Sequence, residues 1–303
     1  MTTQSASTRP LRAVRGFLAG AIGAGVAAFP SLEPFVIRVG HAAANRSRLL
    51  AGLYWFVQES LLARLRRRGE RFRWVQVLGH HLQVDITDRT GRLPHFYGTP
   101  YEESVTGAIV AALRPGDVFV DIGANIGYFT VLAAHVVGTE GRVVAFEPHD
   151  GARATLEALV QRNGVSRCVE IVPLALADAA GDATLFVEDA ITAHSTIEPS
   201  LSPMRDVATL RPAAIVGVTT LDEWMASHSE LVGRVRCVKI DVEGAEARVL
   251  AGMTATLRLA NLTIVCETTT GSAADAALAR AGFTRHRIES GTDAYGNFLY
   301  SRP

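Results

Sequence analysis

The stretch Val118-Phe-Val-Asp-Ile-Gly-Ala-Asn-Ile-Gly-Tyr-Phe-Thr130 indicates the fold of this chain. An apolar strand predicted at 117–122 runs directly into a glycine-rich turn, and this turn opens a helix predicted at 126–137. Glu147 follows the next predicted strand, twenty residues past Gly127. This order is typical of a site for a nucleotide-type cofactor, because the glycines allow close backbone approach and the acid binds ribose hydroxyls.

The details of the turn favour S-adenosylmethionine over a dinucleotide. A dinucleotide fingerprint needs three glycines as Gly-x-Gly-x-x-Gly, with a pyrophosphate at the helix N-terminus. Here the run is Asp-x-Gly-Ala-Asn-x-Gly, so the third glycine is missing and an acid precedes the turn. That acid would repel a pyrophosphate and attract the ammonium and sulfonium groups of S-adenosylmethionine. We expect Glu147 to bind the ribose of this cofactor. The residues assigned to its amino-acid end are Asp121, Gly123, Asn125 and Gly127.

Strands and helices alternate in the predicted structure beyond residue 106. The predicted strands are 117–122, 142–147, 169–173, 235–240 and 262–267, and the predicted helices are 103–113, 126–137, 150–163, 220–228, 245–258 and 272–281. This alternation implies a parallel, doubly wound sheet. Two last strands, 283–289 and 295–301, would add an antiparallel hairpin through the turn residues 290–293. Segments 94–100 and 189–211 are predicted to be loops, the second covering the site.

The overall composition excludes some classes of partner. Basic and acidic residues both number 30 among 303, and the pI is ≈ 7.1, so we expect no nucleic-acid partner. The chain has only three cysteines, and Cys237 and Cys266 fall in apolar, strand-like runs. Such cysteines are typical of small core residues in a reducing compartment, which predicts a cytoplasmic protein.

Residues 1 to about 70 are predicted to form a separate helical segment. Apolar residues between 49 and 65 approximate a 3.6-residue period, and a weakly alternating stretch at 74–86 predicts a strand or hairpin. We therefore divide the chain into an extension at 1–90 and a domain at 91–303. Arginines precede an apolar run at 17–29, which at 13 residues is short for a membrane span of about 20. Basic amphipathic helices also lie on anionic membranes, so loose membrane association through residues 10–70 stays open.

A second group of charged residues follows the predicted strand at 235–240. Lys239, Asp241, Glu243 and Glu246 lie within eight positions, at the end of a strand where open α/β sheets bind ligands. Complementing the dipole of the following helix is a sufficient role for Glu246. Lys239 is the only lysine of the chain, which favours a specific need for a compact amine. Asp241 and Glu243 would also suit a divalent cation, but two acids are too few to predict a metal.

Three more side chains are weaker candidates for the same site. Glu267 closes the predicted strand 262–267, whose carboxyl end converges on the same edge of the sheet. His194 lies in the predicted loop over the site, and loops at this edge often carry function. Asp178, just past the third strand, is a candidate for contact with the adenine amine. The chain has no Cys/His cluster of the kind that binds zinc.

Together these residues resemble the FkbM-type methyltransferase family between about Tyr97 and Glu267. The matching motifs are Tyr-Gly-Thr-Pro-Tyr-Glu102, the run from Pro115 to Gly127, Gly141-Arg-Val-Val-Ala-Phe-Glu-Pro148, Thr219-Thr-Leu-Asp222 and Lys239-Ile-Asp-Val-Glu-Gly-Ala-Glu246. The combination of Asp-x-Gly-Ala-Asn-x-Gly with Lys-x-Asp-x-Glu-Gly-x-Glu is specific to this family among methyltransferases. The resemblance places Glu102 with the cofactor residues. The first ninety or so residues lie outside it.

This resemblance implies a class I methyltransferase fold, with seven strands in a Rossmann-like, mostly parallel sheet. It also implies S-adenosylmethionine-dependent O-methylation of a sugar, glycolipid or polyketide-type hydroxyl. Methyl transfer needs an aligned acceptor oxygen and a base for its proton. The candidates for that work are Asp241 and Glu243, with Lys239, Glu267 and His194 beside them.

Two other functions remain as alternatives. The missing third glycine argues against a nicotinamide-dependent oxidoreductase. The intact Glu147 and the charged segment 239–246 argue against a non-catalytic domain that only keeps the fold.

Overall fold

The computed structural model of the chain describes residues 9–188, 191–201, 210–289 and 294–302. The chain divides into two compact units, Met1–Tyr101 and Glu102–Pro303. The boundary predicted at residue 90 falls inside a helix of the first unit.

The first unit consists of helices and one β-hairpin, as the sequence predicts for residues 1–70 and 74–86. Its elements are α1 Arg9–Ala28, α2 Glu33–Ala44, α3 Arg48–Arg68, β1 Phe72–Val77, β2 His80–Asp85 and α4 Arg89–Tyr97. Ser47 caps α3 by accepting from the Leu49 N–H, and the left-handed Gly69 ends it. Helix α1 packs so closely on α3 that a Cβ on Gly23 would lie 2.8 Å from Ser60 Oγ.

The predicted loop at 94–100 is wrong for its first half, because α4 continues to Tyr97. The Asp88 side chain caps this helix by accepting from the Thr90 N–H, and the left-handed Gly98 ends it. Pro94 lies inside the helix. Good caps at both ends offset the one hydrogen bond that proline cannot donate.

The second unit contains a seven-stranded sheet in the order β12-β13-β11-β10-β3-β4-β5. Its strands are β3 Val118–Ile122, β4 Arg142–Phe146, β5 Val169–Val172, β10 Val235–Ile240, β11 Thr263–Thr269, β12 Thr284–Arg287 and β13 Tyr295–Ser301. Neighbouring strands are parallel from β11 to β5, whereas β13 is antiparallel to both β11 and β12. The predicted α/β sheet with a C-terminal antiparallel pair is therefore confirmed. The predicted turn at 290–293 lies outside the described residues.

Helices cover this sheet and bury its apolar strands. They are α5 Glu103–Ala112, α6 Tyr128–Val137, α7 Asp150–Arg162, α8 Leu221–Ala226, α9 Ser229–Val232, α10 Glu246–Ala251 and α11 Ala273–Arg280. All five residues of β3 are buried, as expected for a central parallel strand. The strand order reverses between β3 and β10, and ligands of such sheets bind at the carboxyl ends beside this point. The helix predicted at 245–258 is wrong in length, since α10 ends at Ala251 and a 3₁₀ turn follows at Thr256–Arg258.

A second sheet of four strands was missed by the sequence analysis. Its strands, in the order β6-β9-β7-β8, are β6 Ala175–Leu176, β7 Gly181–Glu188, β8 Ile191–Thr196 and β9 Leu210–Thr219. The predicted loop at 189–211 is therefore wrong over β8 and at the start of β9, while 189–190 and 202–209 lie outside the described residues. Antiparallel pairing of β7 with β8 and β9 supplies the backbone hydrogen bonds that this polar segment needs.

Candidate active site

The turn between β3 and α6 is held by a close backbone contact. Gly123 has a φ of 77°, and a Cβ there would lie 1.9 Å from the carbonyl oxygen of Asp241. Only glycine therefore allows the ends of β3 and β10 to approach this closely. Gly127 has a φ of 91° and would place a Cβ 2.3 Å from a methyl group of Leu156. Both glycines predicted for the cofactor site thus have a positive φ and a close neighbour, and a larger residue would be unfavourable at either position.

Asp121 lies at the end of β3 and is fully buried. Its Oδ2 accepts a hydrogen bond from Thr130 Oγ1 at 2.6 Å, whereas Oδ1 has no hydrogen-bond partner among the described residues. Burial raises the pKa of Asp121, and the positive charge of Lys239 opposes that rise. A buried acceptor without a donor is unfavourable unless something outside the chain supplies one.

Glu147 follows β4 directly and has only 3% of its surface exposed. Its Oε2 accepts from the Asn125 N–H at 2.7 Å, and its Oε1 accepts from the His149 N–H at 2.8 Å. Burial raises the pKa of Glu147 to about 7, against the lowering effect of these two N–H groups. The carboxylate is fixed in orientation, and each oxygen keeps a second lone pair for a ligand hydroxyl.

Lys239 is a buried ammonium at the end of β10. Its Nζ lies 2.8 Å from Asp241 Oδ2 and 4.9 Å from the ring centroid of Phe129. Burial alone would lower the pKa of Lys239, but the negative charges of Asp241, Asp121 and Glu102 outweigh it and raise the pKa. The chain's only lysine therefore stays charged and balances the acids around the strand ends.

Three carboxylates meet beside this lysine. Asp241, Glu243 and Glu267 each place one oxygen within 4.8 Å of the others, a spacing that a metal ion could also use. Burial raises the pKa of Glu267 to about 10, and the negative charges of Asp241 and Glu243 add to the rise. The raised pKa of Glu267 favours the protonated form of this side chain. It hydrogen bonds with Asp241 and with Tyr295, so it is a weaker candidate for a base than the other two acids.

A cleft opens at the carboxyl ends of β3, β4 and β10 and contains part of the predicted site. The predicted residues that line it are Gly123, Asn125, Glu147, Asp241 and Glu243. The lining also includes Leu176, Leu185 and Thr196 of the four-stranded sheet that the sequence analysis missed, and Ile197, which follows β8. The structure therefore brings the proposed ribose ligand and the proposed acceptor acids to one cleft.

Two other predicted residues, Asp178 and Glu102, do not line the cleft. Asp178 is not part of the cleft lining, and its Oδ1 accepts from Arg248 Nε at 2.8 Å, a contact that also lowers its pKa. Glu102 precedes α5 in a left-handed conformation and acts on Lys239 through its charge. His194 belongs to β8, but its side chain lies outside the described part of the structure. Tyr295 was missed, because no local pattern predicts its contact with Glu267 across paired strands.

Backbone strain is concentrated at the same site. Five residues other than glycine have positive φ in the described ranges, and three of them are Glu102 (40°), Asn125 (50°) and Glu243 (54°). A left-handed conformation at such residues costs about 1–3 kcal/mol and persists where the surrounding structure holds it. All three residues were assigned to the cofactor or catalytic site from the sequence. The positive φ values are therefore an independent indication of that site.

Two features define a class I methyltransferase arrangement. The first is the sheet order, in which the antiparallel strand β13 lies between β11 and β12. The second is the glycine turn after β3, whose Asn125 N–H donates to the acid Glu147 at the end of β4. The family model for the methyltransferase FkbM domain matches residues 121–284. The chain therefore belongs to the FkbM methyltransferase domain family.

The chain is also similar to two relatives and to one solved structure. The chain is 31% identical over 163 residues to 31-O-demethyl-FK506 methyltransferase FkbM of Streptomyces tacrolimicus, covering 46% of this chain and 61% of that protein. It is 30% identical over 166 residues to hexuronic acid methyltransferase AglP of Haloferax volcanii, covering 54% and 61%. The chain thus spans about three fifths of the length of these relatives. The solved methyltransferase FkbM of Methylobacillus flagellatus aligns over 92% of this chain and 60% of that chain, at 14% identity and a TM-score of 0.42.

Gly123→Ala should destabilise the protein more than a left-handed alanine does elsewhere. The new Cβ would lie 1.9 Å from the Asp241 carbonyl oxygen in addition to the strain at a φ of 77°. Gly164→Ala is the matched control, with a φ of 69° and no atom within 4 Å of the added Cβ. Strain of about 1 kcal/mol lowers the midpoint of thermal unfolding by roughly 2–4 °C. Gly123→Ala should exceed that loss, and equal melting temperatures for the two variants would contradict the close contact.

Proposed function

We propose that this protein is an S-adenosylmethionine-dependent methyltransferase that acts on a hydroxyl group. The observation that carries this proposal is one cleft with the buried acid Glu147 at the end of β4 and with Asp241 and Glu243 just past the end of β10, on the other side of β3. Membership of the FkbM domain family supports it. Glu147 suits ribose hydroxyls, and the pair Asp241 and Glu243 suits an acceptor hydroxyl that must lose its proton.

The side chains around the glycine turn fit the cofactor. Asn125 lines the cleft, and its Oδ1 has no hydrogen-bond partner within the described ranges, so it offers an acceptor for an ammonium group. Asp121 adds negative charge behind the turn, and the remaining lone pairs of Glu147 would accept hydrogen bonds from ribose hydroxyls. When bound, the cofactor would supply an electrophilic methyl group on a sulfonium.

The acids of β10 would position the acceptor and take its proton. Asp241 and Glu243 line the cleft, where their carboxylates accept a hydrogen bond from the acceptor hydroxyl. Lys239 holds Asp241 in place through its 2.8 Å contact. Glu267 of β11 hydrogen bonds with Asp241, which further restricts the orientation of that carboxylate. Much of the rate then follows from alignment of the acceptor oxygen.

The acceptor class we propose is a sugar, glycolipid or polyketide-type hydroxyl. The names of the two relatives give a hexuronic acid and 31-O-demethyl-FK506 as the acceptors of those proteins. We also propose a cytoplasmic location, which is supported by three free, buried cysteines. The membrane contact predicted for residues 10–70 is taken up separately below.

The protein should bind S-adenosylmethionine and S-adenosylhomocysteine and should not bind NAD. The acid before the glycine turn repels a pyrophosphate and attracts an ammonium group. Isothermal titration calorimetry with S-adenosylhomocysteine and with NAD measures both. Binding of NAD without binding of S-adenosylhomocysteine would overturn the methyltransferase function in favour of the oxidoreductase.

Glu147→Ala should weaken S-adenosylhomocysteine binding by about tenfold or more, because charge-assisted hydrogen bonds to ribose hydroxyls are worth roughly 1.5–3 kcal/mol each. The pKa of Glu147 is raised to about 7, and hydroxyl donors favour the ionised form. Affinity of the parent protein should therefore rise between pH 6 and 8, roughly one unit either side of that pKa. The variant should lack this part of the pH dependence.

Calorimetric titrations at several pH values measure both effects of Glu147→Ala. Glu157→Ala is the matched control, because Glu157 is an exposed acid on the following helix. An affinity for Glu147→Ala within twofold of the parent, with the same pH dependence, would mean that another residue binds the ribose.

Glu243→Gln should lower turnover by roughly 10²–10⁴-fold, the usual effect of removing a general base. Affinity for S-adenosylhomocysteine should stay close to that of the parent, because Glu243 is not assigned to the cofactor. Asp241→Asn should have a similar effect on turnover, with added loss of stability because Lys239 loses its charged partner. Transfer of radiolabelled methyl groups to a panel of sugar and polyketide hydroxyls measures turnover.

Glu230→Gln is the control for these variants, since Glu230 is exposed on α9. Normal turnover in both Glu243→Gln and Asp241→Asn would exclude these acids as the base and direct attention to Glu267 or His194. Loss of cofactor affinity would instead move them into the cofactor site. Activity that depends on added magnesium and disappears with a chelator would make the three acids metal ligands.

A further inference from the structure

Exposed apolar side chains are concentrated in the helices of the first unit. Of fifteen large hydrophobic residues that are exposed in the described part of the chain, ten lie between Phe17 and Trp55. We call these ten residues the N-terminal apolar surface. Phe17 is 78% exposed, Phe35 is 66% exposed and Trp55 is 49% exposed. A soluble domain rarely leaves so many aromatic and aliphatic side chains in water unless they contact something else.

These side chains are not used for packing of the helices on one another. On α1, Leu18 and Ile22 share one exposed face, whereas Ala19, Gly23 and Val26 share a different, buried face. The buried face packs closely on α3, where a Cβ on Gly23 would meet Ser60. The exposed apolar side chains of α1 therefore lie outside its contact with α3.

Basic side chains accompany the apolar ones. On α2, Phe35, Arg38 and Val39 are exposed at helical spacing, and Arg46 and Arg48 are exposed at the turn into α3. Aromatic residues beside arginines on one helix are typical of helices that lie in a membrane interface, with rings at the headgroup level and guanidinium groups on lipid phosphates.

Formal charge is divided sharply between the two units. Residues 1–101 carry 14 arginines and 5 acidic residues, a charge of +9, whereas residues 102–303 carry 16 basic and 25 acidic residues, a charge of −9. The zero net charge of the whole chain hides this division. A charge of +9 attracts an anionic surface and opposes pairing of the same surface with a second copy.

Lying on the surface fits the helices better than spanning. No single helix in the described ranges is long and apolar enough to cross a membrane, whereas Gly16–Ala28 and Pro30–Ala44 satisfy this requirement only together and are bent by 117°. Within these bounds each apolar segment is shorter than a span of about 20 residues, and the bend of 117° divides the pair into two short segments.

We propose that the N-terminal apolar surface docks on the face of an anionic lipid bilayer. Its aromatic and aliphatic side chains enter the interface, and Arg38, Arg46 and Arg48 bind lipid phosphates. This docking is independent of the proposed methyl transfer. If both hold, the acceptor class narrows toward hydroxyls presented at a membrane, such as those of glycolipids.

Sedimentation of the full-length protein with lipid vesicles tests this proposal. Vesicles of phosphatidylcholine are compared with vesicles that also contain phosphatidylglycerol, at low and high salt. We expect binding to the anionic vesicles to exceed binding to the neutral ones by about tenfold or more, and to fall at high salt because screening weakens the charge term.

Two variants separate the apolar and basic contributions. The first is a double variant, Phe17→Ser with Phe35→Ser, and the second is the double variant Arg38→Glu with Arg46→Glu. Each should reduce binding to anionic vesicles by about tenfold or more. Ile215→Ser is the control, because Ile215 is 70% exposed but belongs to the second unit. Far-ultraviolet circular dichroism and S-adenosylhomocysteine titration check that each variant folds, so loss of vesicle binding alone is interpretable.

Three results would overturn the docking. The first is equal or absent binding to the two kinds of vesicle. The second is a concentration-dependent dimer in light scattering that Phe17→Ser with Phe35→Ser dissolves, which would make the surface an interface between copies. The third is resistance of the cellular protein to extraction by high salt and carbonate, which would mean a spanning segment.

Discussion

The buried ammonium of Lys239 is the interaction on which the geometry of the site depends. Burying an unpaired ammonium costs several kcal/mol, so its partners must be present in the folded protein. One partner is Asp121, which lies opposite it in the pairing of β10 with β3, and another is Asp241 at 2.8 Å. At the same strand ends the Asp241 N–H donates to the Ile122 carbonyl oxygen at 3.0 Å, and the Asp241 carbonyl lies against Gly123. The glycine turn and the acids of β10 are therefore parts of one assembly.

The parts of this assembly that are local in sequence were predictable. A run of apolar residues at Val118–Ile122 becomes a strand that is buried along its whole length, and the glycines after it adopt the positive φ that the turn needs. The position of Glu147 was also predictable, because it follows the next apolar strand and parallel strands bring their carboxyl ends to one edge of the sheet. The seven-stranded sheet follows from such short-range patterns.

What could not be predicted depends on partners distant in sequence. The strands of the second sheet have weak alternation, and Pro212 lies within β9, so only their pairing with one another stabilises them as strands. Tyr295 reaches Glu267 because β13 lies antiparallel beside β11. The raised pKa of Glu267 likewise results from burial among other acids, which no pattern in a single strand encodes.

Strain and unsatisfied groups at the cleft give a physical reason to regard it as a binding site. Asn125 and Glu243 hold left-handed conformations that glycine would adopt at lower cost, and Asp121 buries a carboxylate oxygen without a donor from the described residues. Each feature lowers the stability of the ligand-free protein, and each concerns a polar group at the cleft or behind its turn. A ligand in the cleft that supplies ammonium and hydroxyl donors would hydrogen bond with Asn125 and Glu147, which line it, and so stabilise the folded state by mass action. At this site the sequence has residues that lower the stability of the folded protein, and binding of a cationic, hydroxyl-bearing cofactor would compensate for that loss of stability.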